Sequence, residues 1–76
     1  MQLYELTDIM KTDICINLLD SSKKGIFGID DIPDIFLNKE IVELHVDTKT
    51  MNVCVDINWT NFNQKIEMEN YLLLNK

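Results

Sequence analysis

Seventy-six residues with a formal charge of −6 and a sequence pI near 4.4 make one small acidic domain, residues 1–76. Phosphate backbones repel such a chain, and it has no arginine for bidentate phosphate or guanine contacts, so direct nucleic-acid binding is not expected. A hydrophobic content of 46% excludes a disordered tail, and no apolar run is long enough to cross a bilayer as a helix.

A domain this short buries only about 60% of the surface its unfolded chain exposes, which leaves homodimerisation open as a source of extra burial. Cys15 and Cys54 are isolated, without C-x-x-C spacing, and residues 1–10 lack the basic start and apolar core of a signal peptide. Both features point to reduced thiols in a cytoplasm. Alanine is absent while isoleucine, asparagine and lysine abound, a bias of AT-rich coding.

In chain order, Leu3, Leu6, Ile9 and Met10 recur at helical spacing and predict a short amphipathic helix over about residues 2–11. Residues 13–20 read as a strand, with Ile14, Ile16 and Leu18 on one face and Cys15, Asn17 and Leu19 on the other. A loop through Gly25, which is free to take positive φ, leads to a return strand over Ile26-Phe27-Gly28-Ile29; Gly28 signals a bulge or close approach. Pro33 and its flanking aspartates predict a helical turn near 33–37, with Ile35 and Phe36 docking on the core.

The strongest pattern follows. Val42, Leu44 and Val46 alternate with Glu43, His45 and Asp47, then Met51, Val53, Val55 and Ile57 alternate with Asn52, Cys54 and Asp56. Matching the apolar rows predicts a hairpin with loop 47–50, pairing Val46 with Met51, Leu44 with Val53 and Val42 with Val55. Asn61 and Gln64 form a capping signal for a helix over about 62–74, with Phe62, Ile66 and Leu73 at helical spacing, supported by Met68, Tyr71 and Leu72. The expected fold is α+β: a four-stranded antiparallel sheet of two hairpins with a short N-terminal helix, a helical turn near 33–37 and a C-terminal helix.

Chemistry is sparse. His45 stands between Glu43 and Asp47, but a strand face supplies neither nucleophile nor pocket, so no catalytic residue is assigned. Cys15, Cys54 and His45 are too few and too far apart in sequence for zinc, and no metal or cofactor is expected. Asp30, Asp31 and Asp34 form the densest acidic cluster, followed by Glu40, Glu43 and Asp47; the spacing is not that of a calcium loop. These six carboxylates are the candidate contacts for a basic protein, standing in for phosphates. Trp59, Phe62 and Tyr71 are either interface anchors or caps on the core.

The run from Leu3 to Ile57 resembles small phage-encoded proteins of low-GC Gram-positive hosts. The features carrying the likeness are a short leading helix, a strand like Asp13-Ile14-Cys15-Ile16-Asn17-Leu18, a return like Lys24-Gly25-Ile26-Phe27-Gly28, the Asp31-Ile32-Pro33 turn and a final alternating hairpin. That class includes anti-CRISPR and other anti-defence inhibitors that act without catalysis. The resemblance implies a protein of the host cytosol that blocks a host nuclease or another nucleic-acid-processing factor. The alternatives are a self-associating structural or regulatory accessory domain and, third, a small-ligand binder for nucleotides.

Overall fold

Residues 14–18 are apolar at four of five positions, the pattern of a strand covered on both faces. The computed structural model, which describes residues 1–74, places this strand inside the sheet. Its elements are α1 (Leu3–Thr7), β1 (Ile14–Leu18), β2 (Lys24–Phe27), a 3-10 turn (Ile29–Asp31), α2 (Asp34–Leu37), β3 (Ile41–Asp47), β4 (Asn52–Ile57) and α3 (Phe62–Leu74).

The α+β class is as expected, but the sheet is mixed rather than fully antiparallel. Its order is β2-β1-β4-β3, and the inner strands β1 and β4 pair in parallel, Ile14 with Val53 through Leu18 with Ile57. The reason lies in the crossover between the hairpins. Strand β2 ends at Phe27 beside Ile14, whereas β3 begins at Ile41 beside Ile57, at the opposite end of the sheet. The intervening segment must therefore travel the length of the sheet. It is held there by Ile32 and Phe36, buried to 7% and 0% exposure, while Ile35 packs partly buried against the core. A tight turn after β2 would have reversed β3 and made the inner pair antiparallel.

Local details also move. Helix α1 is shorter than 2–11: its Gln2–Glu5 capping box starts it, and after Asp8 the chain turns so that only Leu3 and Leu6 are buried. The return strand starts two residues early, at Lys24, and the left-handed residue of that loop is Asp20 (φ 57°) rather than Gly25. The second hairpin closes one residue later than the pattern suggests, with loop 48–51 and Met51 at φ 60°. Asp47 Oδ1 accepts the Lys49 N–H at 2.9 Å, and the Met51 N–H reaches the Asp47 carbonyl at 2.7 Å. Partners consequently shift by two, to Val46–Val53 and Leu44–Val55, and a bulge at Val42 lets Ile41 meet Ile57. An even shift preserves the faces.

Helix α3 begins where its capping signal lies. Asn61 Oδ1 accepts the Gln64 N–H at 2.9 Å, and Gln64 Oε1 reaches back to the Thr60 N–H at 2.6 Å. Its inward face carries Met68 and Leu72, both fully buried, which join Ile14, Ile16, Phe27, Phe36, Val55 and Ile57 in the core. Phe62, Ile66 and Leu73, the stripe of the sequence pattern, are exposed instead.

Candidate interaction surface

The sheet's outer face is built from residues that alternate away from the core. Its middle row crosses four strands: Ile26, Cys15, Cys54 and His45 stand side by side. Next to it, Lys24, Asn17, Asp56 and Glu43 form a second row, in which Asn17 Nδ2 donates to Asp56 Oδ1 at 3.1 Å. The three residues weighed for zinc thus share one row. Among the described residues, however, no three His, Cys, Asp or Glu side chains are grouped so as to hold a metal ion.

Both cysteines are free and buried. Burial first, then the neighbouring Cys54 thiol, pushes the Cys15 thiol up from 9.0 to about 11. A thiol held protonated is a poor nucleophile, and His45 beside Cys54 is exposed. An open cleft of about 430 Å³ borders the row, lined by Cys15, residues 22–26, Asp47, Thr50, Leu72 and Leu73. Its charged groups are Lys23 and Lys24 with one carboxylate, Asp47.

The six expected partner contacts are all on the surface but do not form one patch. Asp30 and Asp31 lie in the 3-10 turn and Asp34 in the first turn of α2, all exposed. Glu40 takes the N-terminal amine at 3.1 Å. Glu43 stands on the outer face opposite Asp56. Asp47 serves the hairpin turn, and the Lys49 N–H bonded to it holds its carboxyl below the usual range.

The structure adds two acids that the spacing did not single out. A Cβ placed at Gly28 would sit 3.0 Å from Asp31 Oδ2 and 3.8 Å from Asp13 Oδ1, so Asp13 extends the cluster at that end of the sheet. Gly28 thus marks a close approach to carboxylates, its own carbonyl accepting the Asp31 N–H at 2.9 Å. Asp56 joins Glu43 through the hairpin register. Only strand pairing reveals either neighbour, and the Ile14–Phe27 pair would have found Asp13.

Two of the lysines are engaged elsewhere. Lys39 Nζ donates to Thr60 Oγ1 and Gln64 Oε1, each at 2.7 Å, and Lys65 Nζ lies 5.4 Å from the centre of the Trp59 ring. Trp59 is partly buried, its Nε1–H bonded to the Leu19 carbonyl at 3.0 Å, and Tyr71 packs edge-on against Phe36, so these two aromatics cap the core. Phe62 is 64% exposed. No family model, curated protein or solved structure matches the chain. Among the described residues, no helix is long and apolar enough to cross a membrane.

Proposed function

We propose that this is a non-enzymatic protein of a phage or mobile element that inhibits a bacterial defence factor, of the CRISPR type, or another nucleic-acid-processing factor. It does so by presenting carboxylates to a basic surface that would otherwise hold phosphates. One observation carries the reading. Among the described residues no charged side chain is buried, and the ion pair within 4.0 Å is that between the N-terminal amine and Glu40. The acidic charge is therefore not neutralised internally and remains available to a partner. Asp30 and Asp31, with Asp13 beside Asp31, and nearby Asp34 form the leading edge; Glu43, Asp47 and Asp56 contribute a second, looser group.

The experiment is capture of host proteins at low ionic strength on the immobilised protein, followed by an activity assay of what is recovered. The expected outcome is a nucleic-acid-processing protein whose activity falls when the acidic protein is added. The triple variant Asp30→Lys, Asp31→Lys, Asp34→Lys should lose both capture and inhibition. Full inhibition by that variant would reject this face. Recovery of no nucleic-acid-binding protein would reject the reading.

A further inference from the structure

We infer that the free edge of β3 is a self-association surface, on which two copies of the chain pair antiparallel with Leu44 at the centre. This does not rest on the acidic-surface reading, since Asp30, Asp31 and Asp34 lie outside β3. Strand β3 ends the sheet: Met1–Leu3 runs antiparallel beside Lys39–Ile41, where the Met1 carbonyl takes the Ile41 N–H at 2.9 Å, and from Val42 onward that side of the β3 backbone has no strand beside it. Its Val42, Leu44 and Val46 side chains are 58%, 47% and 52% exposed, although Leu44 and Val46 pair with Val55 and Val53 in β4. Helix α3 packs over β2 and β1, at the far side of the sheet.

The two edges differ in how they are guarded. Strand β2 has four residues, opens on Lys24 and includes Gly25, the short charged edge that discourages pairing. Strand β3 has seven residues, with neither lysine nor proline, and its bulge lies at the start. It is the longest strand and the one with an uncovered apolar row.

The β3 sequence points to a second copy as the occupant. A two-fold axis normal to the sheet runs two β3 strands antiparallel and keeps both apolar rows on one face. With Leu44 on the axis, Val42 faces the partner's Val46, Leu44 faces the partner's Leu44, and Glu43 faces the partner's His45, each off-axis contact occurring twice. Sliding by two residues sets Glu43 against the partner's Glu43 in one direction and against the partner's Asp47 in the other. Sliding by one sets apolar against polar. Only the Leu44-centred register therefore sets apolar against apolar without placing carboxylates directly opposite each other, and like charges so placed destabilise a strand pair. The product is an eight-stranded sheet in which both copies keep their Asp30–Asp31 ends.

Sedimentation of the full chain tests this. The wild-type chain should show a concentration-dependent monomer–dimer equilibrium. Glu43→Lys, which removes the carboxylate facing His45, and His45→Glu, which sets a second carboxylate against Glu43, should each raise the dimer Kd by at least about tenfold. The double variant Glu43→Lys, His45→Glu sets opposite charges across the axis and should recover the dimer, with circular dichroism confirming that all three variants fold. A wild-type chain that stays monomeric at millimolar concentration overturns the inference. So does a dimer that neither single variant weakens, or one that the double variant fails to restore.

Discussion

Cys15 shows how a residue's surroundings decide its chemistry. Its thiol lies on the outer face of the sheet, yet it is buried, and its pKa is pushed up to about 11 from 9.0 by burial and by Cys54. Because the folded pKa lies above the unfolded value, the folded chain holds a proton that the unfolded chain has lost between those two pH values. The stability linked to Cys15 is therefore complete below pH 9.0 and declines as pH rises toward about 11. Chemical denaturation at a series of pH values should show this fall in the wild type and a smaller one in Cys15→Ser. The same burial predicts that Cys15 resists alkylation at neutral pH in the native chain and reacts once it is unfolded. The two thiols were legible in the sequence as unpaired. Their neighbourhood was not, because Cys15 and Cys54 become neighbours only through the parallel β1–β4 pairing.

Helix α3 carries a different lesson at the level of the element. Its existence and start were legible, because Asn61 and Gln64 are local capping residues whose hydrogen bonds span a few positions. Its orientation was not: the residues at 62, 66 and 73 and those at 68 and 72 both occupy helical stripes, and only tertiary packing chooses between them. The choice is measurable. Met68→Ala should cost about 2–5 kcal/mol, as expected for emptying a fully buried site, whereas Phe62→Ala should change stability by less than about 0.5 kcal/mol. Urea denaturation distinguishes them, and equal costs would contradict the packing. In the second hairpin, alternation fixed which residues share a face, while the turn hydrogen bonds at Asp47 set the register. Val55→Ala should cost about 1–3 kcal/mol, since Val55 is fully buried between β1 and β3.

Across the whole molecule, the class, the strand positions and the hydrophobic rows follow from local pattern, and the topology does not. The parallel inner pair depends on where residues 28–40 come down. Ile32 and Phe36 announce themselves as core residues without saying which end of the sheet they lead to. The acidic surface divides similarly. Asp30, Asp31 and Asp34 cluster because they are near in sequence, whereas Asp13 and Asp56 join their neighbours only by strand pairing. The resulting molecule has an acidic end, an outer face with a cleft beside two buried thiols, and a strand edge uncovered from Val42 onward. Its carboxylates are held by the surface of a rigid sheet and its crossover rather than by a flexible tail.

Competition between this protein and DNA for a captured partner tests the central claim most directly. A labelled DNA duplex and this protein should exclude each other from the partner, and the affinity of the protein should fall steeply as salt rises. A ternary complex of partner, DNA and protein, with an affinity that does not change with salt, would contradict the claim that the acidic surface takes the place of phosphates.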